Sequence, residues 1–293
     1  MEPDRSSNTA EYTAAMRADH LLHDADPVLE DAWALQLVEP TLRAAVEKGD
    51  YHAFLARTGL RPTQGHIVMR ARFADDALAA AVANGMRQLV VLAAGLDSSC
   101  LRRDPRVRVI EVDHPASQRT KRERLAALGA PIGGIEFLAV DFAREELAAA
   151  LARSSLDRSQ PAFVTWIGVT MYLPVTIGLA TLAQIRAGVA PGSELVFDYP
   201  IPLDQLDSEA LAIARMKNAG LARTAEPRIT TYDANDLARA LAERDFALIE
   251  DVGPAELDAR YCAGRRDGLR ANPENRIAHA RAVFPSPRRR ASR

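Results

Sequence analysis

Cysteine is almost missing from this 293-residue chain: there are two, Cys100 and Cys262, and they form no Cys-x-x-Cys pair. Two thiols cannot supply a disulfide framework at this length, so a reducing, cytoplasmic setting is expected. An excess of positive charge is missing too. The 37 Lys and Arg residues face 39 Asp and Glu, for a formal net charge of −2. A broad basic field for nucleic acid or an anionic membrane is therefore not expected. Lysine is scarce and arginine carries most of the positive charge; the arginines at 288, 289, 290 and 293 read as a solvated tail. No apolar run reaches membrane-spanning length, and residues 1–7 lack the apolar core of a signal peptide. The six histidines are scattered without ligand spacing, so no metal site is expected. Missing as well is Gly-x-Gly-x-x-Gly, the turn that lets a dinucleotide pyrophosphate approach backbone N–H groups.

What remains is ordinary globular composition, 48% hydrophobic and 26% charged, in a chain long enough for a large core. Two grammars divide it. Up to about residue 87 the apolar spacing is helical. Helices are expected over 9–22, from the Asp26-Pro27 pair through Trp33, Leu35 and Leu37, from Pro40 to about 55, and over 67–84 with Gly85 as the stop, with a loop at 58–65. From residue 88 short apolar runs alternate with helical stretches. Strands are expected at 89–93, 107–112, 135–140, 162–167, 194–199 and 246–252, with a last short one near 259–263. The intervening helices end near 128 and run over 145–153, 175–189, 208–222 and 233–244. This pattern implies an α/β fold, a parallel sheet covered on both faces. The expected organisation is a helical cap (1–87), a core (88–270) with an insertion around 201–230, and a C-terminal tail (271–293).

In such a sheet the ligand lies beyond the carboxyl ends of the strands. After the first strand come Ala94 and Gly95, a single glycine suited to a ligand without a pyrophosphate, such as S-adenosylmethionine. After the second come Asp113, His114 and Pro115. Asp113, 18 residues beyond Gly95, can accept ribose hydroxyls, or it can cap the next helix. After the third come Asp141 and Phe142, a carboxylate and a ring that fit an adenine, or again a helix cap. Trp166, Ile167 and Tyr172 follow the fourth strand and Tyr199 ends the fifth; each is a wall or a core residue. Tyr261 and Arg223 are further wall candidates. In the cap, an arginine of the Arg70-Ala71-Arg72 run could pair with a carboxylate.

Taken in order, the segments 14–18 (AAMRA), 70–78 (RARFADDAL), 87–98 (RQLVVLAAGLDS), 109–115 (VIEVDHP), 166–173 (WIGVTMYL), 190–199 (APGSELVFDY) and 252–269 (VGPAELDARYCAGRRDGL) resemble the leucine carboxyl methyltransferase family. The family is meant in the broad sense that includes bacterial S-adenosylmethionine-dependent O-methyltransferases of polyketides. The resemblance implies a Rossmann-like class I methyltransferase fold, a seven-stranded, mostly parallel sheet with a helical N-terminal cap. It implies S-adenosylmethionine as cofactor and S-adenosylhomocysteine as product. It assigns Arg72 to the cofactor carboxylate, Arg17 to the methionine end, Gly95 to the close turn, Asp113 to the ribose and Asp141 with Phe142 to the adenine. Two positions depart from the pattern: Ile167 stands where many members carry a glutamate, and Ser99 replaces an arginine.

The expected reaction is O-methylation of a small secondary metabolite, at a carboxylate or a phenolic hydroxyl, by a monomer or homodimer. A carboxylic acid, pKa about 4, is already a nucleophile at neutral pH; a phenol, pKa about 10, needs a base. No His–Asp pair stands at suggestive spacing, and His114 is expected over the ribose. His66, Tyr172 and Tyr199 are the remaining candidates for a catalytic role. The missing base points towards carboxyl methylation. The alternatives are an NAD-dependent oxidoreductase and a non-catalytic relative that only binds the cofactor.

Overall fold

The computed structural model describes residues 8–285, apart from residues 143, 209, 213 and 216–227. Arg223, the later part of the helix expected over 208–222 and the arginine tail lie outside the described residues.

Seven strands form one sheet in the order β3-β2-β1-β4-β5-β7-β6. They are β1 (Gln88–Leu92), β2 (Arg108–Asp113), β3 (Ile135–Ala139), β4 (Phe163–Trp166), β5 (Glu194–Pro200), β6 (Phe246–Val252) and β7 (Asn275–Ala282). β1 to β5 are parallel, whereas β7 runs antiparallel between β5 and β6. From β1 the chain winds one way to β2 and β3 and the other way to β4 and β5. The switch point between β1 and β4 is where an open α/β sheet leaves a crevice at its carboxyl edge.

Alternation along the strands sends side chains to two cores. Val90, Leu92, Val164, Trp166, Leu195 and Phe197 pack with Leu147 and Leu151 of α8 (Leu147–Ala152) and Leu182 and Ile185 of α9 (Val175–Gly188). Leu89, Val91, Val109, Phe163, Val196 and Ile277 pack on Val68, Met69 and Phe73 of α5 (Arg61–Ala83). A third cluster lies in the cap, formed by α1 (Asn8–His23), α2 (Ala32–Leu37), α3 (Pro40–Glu47), α4 (Asp50–Arg57) and part of α5. Leu96, from the turn after β1, joins this cap cluster and ties it to the sheet.

Several expected boundaries change. α5 begins at Arg61, so the loop expected over 58–65 is largely helix. Pro62 sits in its first turn, where a missing N–H is harmless. Gly65 continues the helix because its bare Cα lets the carbonyl of Arg270 pass: a Cβ there would lie 2.0 Å from that oxygen. The helix expected from Pro40 to 55 is two helices broken at Gly49, whose φ is +78°. The helix expected from Asp26-Pro27 starts at Ala32, capped by the Asp31 carboxylate. The strand expected near 259–263 is instead the end of a helix, Pro254–Tyr261. The seventh strand lies at Asn275–Ala282, inside the segment expected to be a tail. No described helix is long and apolar enough to cross a membrane.

Candidate active site

A cavity of about 910 Å³ opens at the switch point, large for a small-molecule site. Its floor is the turn Ala93–Asp97 and the end of β4 from Thr165 through Ile167 to Gly168. Its roof is the cap, with Met16 and Arg17 of α1, Tyr51 and Phe54 of α4, and His66 and Arg70 of α5.

The turn is held from three sides. Ala93 has φ +52° and Gly95 φ +46°, so the chain leaves β1 through left-handed backbone, strained for the alanine. The Asp113 carboxylate accepts from Gly95 N–H at 2.6 Å through Oδ2 and from His114 N–H at 2.6 Å through Oδ1. It lines the cavity, keeps further lone pairs, and is pushed above the usual carboxylate range by burial, which these two N–H groups only partly offset. From the cap, Arg17 donates to the Leu96 carbonyl at 2.7 Å and to Asp31 at 2.9 Å. Asp31 is fully buried and also takes Ser98 Oγ at 2.5 Å and Arg102 at 3.0 Å. Burial would raise the Asp31 carboxyl, but Arg17 and Arg102 hold it below its ordinary value.

A second polar group sits across the cavity. Asp198, on β5, is fully buried and faces the opposite way from its neighbour Tyr199. It accepts from Arg70 Nη1 at 2.8 Å, Gly168 N–H at 2.6 Å and His66 Nε2 at 3.1 Å. Burial works against its charge, yet Arg70 and then His66 hold its carboxyl far below the usual range. Gly168, at φ +77°, is the floor over which the Arg70 guanidinium passes. Arg228, 2.9 Å from Glu274, lies at the same end.

Of the expected site residues, Arg17, Ala94, Gly95, Asp113, Ile167, His66 and Tyr172 line this cavity. Four expectations need correction. Arg72 is displaced by helical geometry: two residues beyond Arg70 on α5, its side chain is half exposed and pairs with Asp76 at 2.7 Å and the Val28 carbonyl at 2.9 Å. Of the two, Arg70 is the one that lines the cavity. Trp166 points to the other face of the sheet, packed against Phe197 in the core, because β4 alternates around Thr165 and Ile167. Tyr199 is buried on that same face, donating to Asp251 at 2.7 Å, so a catalytic role has no access to the cavity. Tyr261 donates to Asp76 at 3.0 Å on the outer side of α5, away from the cavity.

His114, Asp141 and Phe142 lie outside the cavity walls. His114 caps α7 (Pro115–Ala127), its Nδ1 accepting from Ala116 N–H at 3.3 Å. Asp141 and Phe142 follow β3, next to Asp113 across the Val140 N–H to Asp113 carbonyl bond of 2.9 Å. Phe142 is 48% exposed. The contribution of Asp198 was missed at the sequence level. Its partner His66 is 132 residues away, and no spacing rule links a helix of the cap to the end of β5. No group of three or more His, Cys, Asp or Glu able to hold a metal occurs among the described residues.

The leucine carboxyl methyltransferase family matches residues 10–186. A Bacillus subtilis protein bearing the name of an S-adenosyl-L-methionine-dependent methyltransferase is 24% identical over 96% of this chain and 99% of its own length. A similarly named protein of Mycobacteroides abscessus is 30% identical over 95% of this chain and 92% of its own. A solved structure of a duf574 family protein from Streptomyces avermitilis superposes with a TM-score of 0.59 at 18% identity, covering 94% of this chain and 97% of that one, which shows a shared fold.

Proposed function

Because the chain belongs to the leucine carboxyl methyltransferase family and is an S-adenosylmethionine-dependent methyltransferase, we propose that it transfers the methyl group to an oxygen of a small organic molecule, a carboxylate or a phenolic hydroxyl, held beneath the cap. One observation carries this reading: a single cavity runs from the Gly95–Asp113 turn to the apolar and aromatic cap walls, Met16, Tyr51 and Phe54. It has room for donor and acceptor side by side.

The residues of the turn suit the cofactor. Gly95 presents bare backbone in a left-handed turn, and Asp113 has acceptor capacity left for ribose hydroxyls. We assign Arg70, with Arg17 behind the turn, to the methionine end, and Asp141 with Phe142 at the rim to the adenine. Bound there, S-adenosylmethionine supplies an electrophilic methyl group on a sulfonium. The chain's own part is to orient the acceptor towards that methyl and to keep water out. Ile167 in the floor, where many relatives carry glutamate, makes this part of the site apolar. The family membership replaces the nicotinamide alternative.

Calorimetric titration with S-adenosylhomocysteine tests the placement. Asp113→Ala is expected to weaken binding more than tenfold, and unchanged affinity would remove Asp113 from the ribose. Incubation with S-adenosylmethionine and a panel of phenols and carboxylic acids, read by S-adenosylhomocysteine release and product mass, tests the reaction. Methylation confined to nitrogen or sulfur acceptors would overturn it.

A further inference from the structure

His66 lies in the cavity wall and is only 3% exposed. Its Nε2 is 3.1 Å from Asp198 Oδ2. Asp198 is held ionised by Arg70, and an ionised carboxylate can only accept, so Nε2 carries the proton. Nδ1 is then a bare lone pair. It is buried and has no hydrogen-bond partner among the described residues. A buried acceptor left unmet is costly, which makes it a place for a ligand's donor. Burial is the largest influence on the imidazole and pushes it below its ordinary value, against Asp198; the positive charges of Arg70 and Arg228 push the same way. The ring is therefore neutral, a base rather than an acid, at neutral pH.

We propose that His66, oriented by Asp198, is the general base of the transfer, and that the acceptor is a weakly acidic hydroxyl, a phenol or enol, rather than a carboxylic acid. This rests on the O-methyltransferase reading and reverses the leaning towards carboxyl methylation drawn from sequence spacing. The acceptor's O–H bond breaks and its proton passes to His66 Nδ1. The oxygen's electron pair forms the new bond to the methyl carbon, and the pair of the broken carbon–sulfur bond stays on sulfur. The imidazolium so formed is stabilised by Asp198 and returns its proton to solvent after the product leaves. A carboxylate acceptor, ionised already at neutral pH, would need none of this.

The test is a long-range ¹H–¹⁵N spectrum of the full chain saturated with S-adenosylhomocysteine at pH 7, the His66 signals assigned by their loss in His66→Gln. Expected is a neutral ring with Nε2 protonated and Nδ1 bare, a preference weakened in Asp198→Asn. An imidazolium, or a proton on Nδ1, overturns the proposal without any turnover being measured. Kinetics add a second arm, with para-substituted phenols and benzoic acids as probes. His66→Gln should lower kcat/KM for phenols by about 100-fold or more, increasingly so for less acidic phenols, and lower any benzoate methylation by a much smaller factor. Equal losses for both series, or none, would overturn the proposal. Failure to bind S-adenosylhomocysteine would count against the O-methyltransferase reading instead.

Discussion

A Cβ on Gly168 would lie 2.8 Å from Arg70 Nη2, so at residue scale the floor of the cavity is shaped around one guanidinium. That placement separates two arginines that sequence alone leaves side by side. Arg70→Ala is expected to weaken S-adenosylhomocysteine binding by about tenfold or more, the loss of a charge-assisted contact, while Arg72→Ala leaves it within about twofold. Calorimetry on both variants checks this; a larger loss for Arg72→Ala would show that the exposed arginine turns inward. Gly95 and Asp113 were readable in the sequence because each ends a strand, and strand ends converge at the sheet's carboxyl edge. The direction of Arg72 was not, because two residues on a helix are about 200° apart and the inward face depends on what the helix packs against. The His66–Asp198 pair was unreadable for a different reason: it exists only where α5 crosses β5.

At the scale of elements, α5 is the member that joins cap to sheet. It carries His66 and Arg70, and its first turn is pinned to α1 through Asp24. That carboxylate receives Arg61 at 2.8 Å and His20 at 2.5 Å. Burial would raise its pKa, but the hydrogen bonds from His20 and Arg61 and the charge of Arg61 lower it to about 2 from 3.8. A carboxyl depressed in the folded state stabilises it above the unfolded value, and that contribution is lost as pH falls through the folded one. Asp24→Asn is therefore expected to cost about 2 kcal/mol at pH 7, with the difference from the parent shrinking between pH of about 4 and 2. Urea unfolding across that range checks it; a difference independent of pH would contradict the ion-pair account. The sequence showed the long helical run of α5 but not its start, because Pro62 and Gly65 read as breakers. Their roles, a first-turn proline and a close approach to Arg270, depend on neighbours.

For the whole molecule, the least legible feature was β7. Its sequence, NRIAHARA, has charge and alanine where a buried strand usually shows valine or isoleucine, so it passed for tail. Yet it pairs with β5 on one side and β6 on the other. A chain ending at residue 270 would leave β6 without a neighbour and β5 with an open, apolar edge. Such a truncation is expected to lose cooperative thermal unfolding, whereas a harmless tail would leave the transition intact. The alternation of strand and helix from residue 88 did reveal the rest of the sheet, because parallel strands buried on both faces need continuous apolar runs.

In the proposed reading, one cavity seats the methyl donor on the turn at Gly95, beside Asp113, with its reactive end turned under the cap. A crystal structure with S-adenosylhomocysteine tests this most directly. Expected are ribose hydroxyls on Asp113 and the sulfur facing the chamber walled by His66 and Tyr172. A ligand whose ribose lies away from Asp113, or whose sulfur faces solvent, would contradict it.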